Sequence, residues 1–181
     1  MDSDLIYLRD FIFAACKRDE LKEAGIGKRA ELHKEIRGDK IFWLEKNSLT
    51  PEQTNIWNFL EQLKIELNRN LFLGIKDFES HLTFYPPHAH YKKHYDQFKK
   101  DPAIPMPEKT RVLSFVIYLN EGWKQGDGGE LRIFEPQREN HVLECIEPLF
   151  GRVVFFLSEE FPHEVQETKT PRTSMTGWFY K

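Results

Sequence analysis

His94 and Asp96 stand two residues apart, with Tyr95 between them, and offer an imidazole and a carboxylate. On an extended strand, residues i and i+2 point to one face, so both side chains can reach one ion. With a second, distant histidine such a pair makes the facial triad of a non-haem iron(II) oxygenase, which leaves three coordination positions for co-substrate and oxygen. A zinc hydrolase more often uses three protein ligands and one water, and a structural zinc site wants cysteines. Only two cysteines, Cys16 and Cys145, are present. With 7 histidines and 29 acidic residues among 181, about one His-x-acid pair is expected by chance. A second copy exists, His33-Lys34-Glu35, in a charged, helical-looking stretch where i and i+2 do not face each other. His33 is therefore read as a solvated surface residue.

His163 supplies context. It lies in Phe161-Pro162-His163-Glu164-Val165, after the apolar run Val153–Leu157 and a short acidic turn. That placement predicts a histidine that opens a strand and points into a barrel mouth. Arg172 follows a Thr170-Pro171 turn, and a short hairpin is expected to bring the two side by side, with Arg172 deeper along the neighbouring strand. An arginine among Phe, Met and Trp on a buried strand needs an anionic partner. A dicarboxylate co-substrate would supply one through a bidentate contact. The competing reading puts Arg172 on an exposed strand face. His88 and His90 flank Ala89 behind a double proline, so a loop with surface histidines is expected there; His81 and His141 look ordinary. Tyr118 ends an apolar run, either as core or as a hydroxyl offered to a carboxylate.

The elements that would position these groups fall into two halves. Leu5, Leu8, Ile12 and Ala15 form one helical stripe. Thr50-Pro51-Glu52-Gln53 is a capping box with proline at the first helical position, and Ile56, Phe59, Leu60, Leu63 and Leu67 continue one face to about Asn70. The second half reads as strands: Val112–Leu119, Leu131–Phe134, Val153–Leu157 and Thr173–Tyr180, short and rich in β-branched and aromatic residues. Turn residues separate them. Helices followed by many short strands predict an α+β domain with helices outside a β-sandwich or distorted barrel. One domain is expected, with residues 1–75 mainly helical support and 76–181 the β core. Phe98–Lys109, with three prolines, is the expected mobile loop.

Composition bounds the function. A net charge of −3 gives no reason to expect nucleic acid or an anionic membrane as partner. No apolar run approaches the ~20 residues of a membrane helix. The opening MDSDLIYLRD is acidic rather than basic, unlike a signal peptide, and two cysteines cannot make a disulfide framework. A cytoplasmic protein is the expectation.

The blocks IRGDKIFWL (36–44), FYPPHAHYKKHYD (84–96), IYLNEGW (117–123), GGELRIF (128–134), IEPLFGRVVFFLS (146–158) and PHEV through RTSMTGWFY together resemble the prolyl 4-hydroxylase superfamily. The resemblance is to its branch of hypoxia-inducible-factor prolyl hydroxylases and their bacterial relatives. It implies a double-stranded β-helix of jelly-roll, cupin-like form with N-terminal helices packed on one sheet. It implies iron(II) on His94, Asp96 and His163, and 2-oxoglutarate with its distal carboxylate on Arg172, helped by the hydroxyls of Tyr118 and Thr176, and with Tyr85 near its carboxylate at the metal end. Tyr91, Arg111, Trp178 and Asp39 would line the substrate side. The implied reaction uses oxygen and 2-oxoglutarate to hydroxylate a prolyl residue of a protein, releasing succinate and carbon dioxide, with ascorbate as reductant and a translation component as a plausible partner. Two departures bear on the substrate: Pro86–His90 replaces a longer glycine-rich segment, and the loop after Asp96 is longer. Hydroxylation of a free amino acid, a sensor that does not turn over, and a non-enzymatic adaptor are the competing readings.

Overall fold

The stripe Leu5, Leu8, Ile12 and Ala15 is buried along helix α1 (Asp2–Lys17) of the computed structural model, which describes residues 1–25, 33, 35–97 and 109–181. The expected loop at Phe98–Lys109 lies outside these residues except for Lys109. Short strands β1 (Lys22–Glu23) and β2 (Lys40–Trp43) follow, then α2 (Pro51–Leu71). Thr50 caps α2 as expected: its hydroxyl accepts from Gln53 N, and the Gln53 side chain accepts from Thr50 N. The buried face of α2 is rotated from the expected one, with Trp57 buried and Phe59 exposed beside Ile56 and Leu60.

The remaining strands are β3 (Asp77–Tyr85), β4 (Tyr91–His94), β5 (Arg111–Tyr118), β6 (Leu131–Glu135), β7 (Arg138–Ile146), β8 (Val153–Leu157), β9 (His163–Val165) and β10 (Arg172–Tyr180). Among the described residues they form a six-stranded sheet, β1-β2-β3-β10-β5-β8, and a four-stranded sheet, β4-β9-β6-β7, with antiparallel strand pairings. The helices pack on one face of the larger sheet, against Phe78, Leu82, Phe84, Phe115, Met175 and Phe179. Its other face meets the smaller sheet around Tyr85, Val116, Tyr118, Leu131, Ile133, Phe156 and Val165. The expected α+β jelly-roll is therefore the observed architecture.

Register puts the chemistry on that second face. In β3, β10 and β5 directly paired residues share a face, which gives the cross-strand rows Tyr85–Arg172, Thr83–Ser174–Tyr118, His81–Thr176–Val116 and Glu79–Trp178–Ser114. Trp43 of β2 extends the third row, opposite His81. Gly177 lies between rows on the helix side. A Cβ there would stand 2.3 Å from the Glu79 carbonyl oxygen and 2.5 Å from the Phe115 ring. Gly177→Ala is thus expected to cost about 1–3 kcal/mol through overpacking, read as a lower urea midpoint at unchanged slope. An unchanged midpoint would show that β3 and β10 separate freely at this point.

Candidate metal centre and co-substrate pocket

His94 and His163 are direct cross-strand partners on β4 and β9, with ring centroids 4.3 Å apart. β4 carries one extra residue between Tyr91 and His94 relative to β9, a bulge that re-aims side chains. It lets Tyr91 stack on His94 at 3.6 Å and 15°. His94 Nδ1 lies 2.8 Å from the Lys92 carbonyl, and His163 Nδ1 lies 3.1 Å from the Phe161 carbonyl. A carbonyl only accepts, so each Nδ1 carries the hydrogen and each Nε2 presents a lone pair. Those are the atoms that face Asp96: His94 Nε2 is 3.7 Å from Oδ1, and His163 Nε2 is 3.5 Å from Oδ2. The three residues offer ligand atoms all within 4.8 Å of one another.

One expectation about this motif needs correcting. His94 and Asp96 do not share a strand, because His94 is the last residue of β4 and Asp96 lies in the bend that follows. The carboxylate is aimed by the opposite sheet instead: the Ser114 hydroxyl donates to Asp96 Oδ2 at 2.6 Å and is itself 2.8 Å from Ser158 Oγ. Burial alone would raise Asp96, but the neighbouring His163 and His94 reverse this and bring it down to about 2. Burial, with His163 beside it, pushes His94 down to about 3. At the second His-x-acid copy, residues 35 and 36 lie in a turn: the amides of Ile36 and Arg37 donate to the His33 carbonyl, and the His33 ring pairs with Glu35.

Arg172 is 3% exposed, which removes the surface reading. The expected hairpin is absent, because β9 and β10 belong to different sheets and the chain crosses between them at residues 166–171. Arg172 Nε donates to Gly129 O at 2.8 Å and Nη1 to Ser174 Oγ at 3.4 Å. The guanidinium also lies over the rings of Tyr85 and Tyr118, at 4.9 and 5.1 Å. Gly129 has φ +79, and a Cβ there would stand 2.8 Å from Arg172 Cδ. Among the described residues this buried cation makes no ion pair, and an isolated buried charge is costly. The Tyr118 hydroxyl beside it is buried with no partner, as are Thr83 Oγ1 and His81 Nδ1 on the same inner face. A cation and several unpaired polar atoms facing one interior fit a small dicarboxylate, and two imidazoles with one carboxylate fit iron(II).

Two short stacks flank the centre. On one side Arg37 lies 4.6 Å over Tyr91, and Asp39 holds Arg37 through both carboxylate oxygens at 2.6 and 2.9 Å. The Asp39 side chain has no exposed area, so it touches nothing in the mouth directly and acts through Arg37. On the other side Arg111 lies 3.6 Å over Trp178 and donates to Glu79 at 2.7 Å. Thr176 is half-buried in the row between Trp178 and Ser174. The sequence reading missed Arg37, Ser114, Ser158, Thr83 and His81. Arg37 and Ser158 lay inside blocks that carried the resemblance; Ser114, Thr83 and His81 give no signal beyond alternation on β3 and β5.

His81 is not ordinary. It is 2% exposed and packs between Trp43 and Trp178, with ring centroids 4.9 and 5.3 Å away. Burial pushes it down to about 3, and Arg37 and Arg111 add to the effect. His81 and His94 are thus both neutral when folded, but take up protons when unfolded below about pH 6.5. The metal-free protein is expected to lose stability as pH falls from 6.5 towards 3, by up to about 3 kcal/mol per pH unit for two such groups. Urea unfolding at stepped pH reads this slope, and His81→Leu should roughly halve it. A flat profile would show that the two rings are solvated.

The comparisons with known proteins agree with this geometry. The model of the 2OG-Fe(II) oxygenase superfamily matches residues 80–180, which holds all three metal-facing residues and Arg172. The chain is 30% identical to mouse prolyl hydroxylase EGLN3 over 163 residues, 87% of this chain and 62% of that protein. It is 29% identical to human Egl nine homolog 1, of which it spans 35%. It therefore spans less than two thirds of the curated relatives it matches. A crystal structure of a Pseudomonas putida prolyl-4-hydroxylase superposes with TM-score 0.85 at 35% identity, covering 100% of this chain and 88% of that one. A Trichoplax adhaerens prolyl hydroxylase bound to a hypoxia-inducible-factor peptide shares the fold, with TM-score 0.81 at 23% identity over 99% and 77% of the two chains. With the matched span covering the metal cluster and the buried arginine alike, this chain belongs to the 2OG-Fe(II) oxygenase superfamily.

Proposed function

We propose that this chain hydroxylates a prolyl residue of a protein substrate, with residues 1–181 acting as one domain. The observation that carries the reading is the pairing of a His94–Asp96–His163 cluster with a buried, carboxylate-free Arg172 on the same barrel interior. When bound, Fe(II) with 2-oxoglutarate and oxygen supplies the oxidising chemistry that inserts one oxygen atom into a C–H bond, releasing succinate and carbon dioxide. The chain's own residues do the rest. His94, Asp96 and His163 would hold the metal, and Ser114 keeps the Asp96 carboxylate aimed towards the two imidazoles. Arg172 and Tyr118 take the distal carboxylate of 2-oxoglutarate, with Thr176 and Tyr85 lining its pocket. The apolar walls from Val116, Ile133 and Phe156 exclude water and strengthen those contacts.

Tyr91, Arg111 and Trp178 line the substrate side, with Asp39 acting through Arg37. A half-buried Tyr91 ring and a buried Trp178 ring, each carrying a guanidinium group, suit an extended peptide with a proline among apolar neighbours. The P. putida and EGLN3 relatives, both described as prolyl hydroxylases, support the choice of a prolyl residue. A translation component is the proposed partner, ascorbate the reductant that keeps iron ferrous, and the cytoplasm the compartment. No described helix is long and apolar enough to cross a membrane.

The test is anaerobic titration with Fe(II) and 2-oxoglutarate, followed by air and a panel of proline-containing peptides and free amino acids. A visible charge-transfer band, then a peptide one oxygen atom heavier with matching succinate, is expected. Oxygen uptake into a free amino acid alone would overturn the protein-substrate reading. A folded, iron-loaded protein that gives no band would overturn the oxygenase reading.

A further inference from the structure

Thr83 is 2% exposed and its hydroxyl has no partner within the chain. It lies on the inner face of β3, directly opposite Ser174, which is in turn opposite Tyr118. Ser174 Oγ accepts from Arg172 Nη1. Thr83, Ser174 and Tyr118 therefore form one cross-strand row beside the guanidinium, and two of the three hydroxyls in that row, Thr83 and Tyr118, are unpaired. A buried hydroxyl without a partner destabilises the ligand-free chain, whereas valine would fill nearly the same shape without that penalty. Strand propensity also gives threonine no clear advantage over valine at such a position.

We propose that the Thr83 hydroxyl is a further donor to the distal carboxylate of 2-oxoglutarate, reaching it from the β3 side across from Tyr118. The inference rests on the reading of this interior as the co-substrate pocket. Tyr118 and Arg172 alone leave the β3 side of a carboxylate unsatisfied, and a carboxylate has about four acceptor sites to fill. Thr83 thus sets selectivity for a co-substrate with a charged far end over a 2-oxo acid with an apolar tail.

The experiment uses the full chain loaded with Mn(II), which does not turn over, and measures Kd by calorimetry and Tm without ligand. The ligands are 2-oxoglutarate and 2-oxopentanoate, which has the same chain length and no distal carboxylate. Thr83→Val is expected to weaken 2-oxoglutarate binding about 10- to 150-fold, the scale of one lost hydrogen bond to a charged group. It should leave 2-oxopentanoate binding unchanged and raise the Tm of the ligand-free protein. Thr83→Ser, which keeps the hydroxyl, should bind 2-oxoglutarate within a few-fold of the parent; it also serves if valine disturbs folding. Equal 2-oxoglutarate affinity in parent and Thr83→Val overturns the inference and leaves the pocket reading intact. So does equal weakening for both ligands, or a lower Tm with unchanged Kd, which marks a hydroxyl that holds a structural water. A parent that binds no 2-oxoglutarate overturns the pocket reading and the inference with it.

Discussion

Asp96→Ala is expected to weaken metal binding by more than the ~10–100-fold that loss of an outer partner costs, and Ser114→Ala is expected to fall within that range. The reason lies in how unequally the three ligands are held. The imidazoles are fixed by their own backbone neighbours, since Lys92 and Phe161 carbonyls lock both Nδ1–H groups, and Tyr91 and Phe156 pack against the rings. Asp96 follows the end of its strand and is held from the opposite sheet, by Ser114 Oγ at 2.6 Å, braced by Ser158, and by Trp178 beside it. It is also the one formal charge among the ligands, so its removal takes away both a bond and the local neutralisation of the cation. Mn(II) titration followed by electron paramagnetic resonance reads the affinity without turnover. Circular dichroism melts of the metal-free variants establish that they fold. Parent-like Mn(II) affinity in Asp96→Ala would place the ion elsewhere. Full affinity in Ser114→Ala would mean that the bend after β4 is rigid by itself.

What the sequence made legible, and what it hid, follows from where each residue gets its environment. The stripe on α1 and the capping box on α2 are local, and both are present as read. Val153–Leu157 announced itself through β-branched and aromatic content, although it is an edge strand with Val153 and Phe155 exposed. β3 did not, although it is a central strand of the larger sheet. Its Phe78, Leu82 and Phe84 face the helices, while Glu79, His81, Thr83 and Tyr85 face the interior that the site occupies. A pocket built to hold a polar ligand has the same polar–apolar alternation as a strand with one face in water. Function thereby disguises burial, which is why His81 reads as ordinary and Thr83 passes unseen. β7 was missed for the opposite reason: it is an edge strand almost wholly exposed, with charged residues that blunt further pairing. The hairpin expected between His163 and Arg172 failed because sequence proximity cannot tell a turn within one sheet from a crossing between two. Residue type and spacing supplied His94, Asp96, His163 and Arg172, and the resemblance the other site residues; the structure supplied what holds them, Ser114 for Asp96 and Asp39–Arg37 for Tyr91.

Arg172→Met is expected to act in opposite directions on ligand binding and on the empty fold. In the ligand-free protein the guanidinium is 3% exposed, bonded to one carbonyl and one hydroxyl, and faced by two tyrosine rings. Those contacts offset part of the cost of burying a cation, and no described carboxylate offsets the rest. Methionine fills a similar volume without charge, so the empty protein should gain about 1–4 kcal/mol, the range seen when buried charges give way to apolar side chains. Binding of 2-oxoglutarate should meanwhile fall roughly 30-fold or more, since losing one partner of a buried charge pair costs about 2–5 kcal/mol. Arg172→Lys separates charge from shape. It keeps the cation but loses the planar fork, and an intermediate loss is expected because lysine cannot make the bidentate contact. Thermal melts with and without 2-oxoglutarate read both effects together, because a ligand bound only by the folded state raises Tm in proportion to its affinity. The parent should start lower and rise further; Arg172→Met should start higher and barely move. If methionine lowered the starting Tm, Arg172 would be a structural brace between Gly129 and β10, and the anion-binding role would pass to other groups. If both proteins rose alike, 2-oxoglutarate would be binding without its distal carboxylate in this pocket at all.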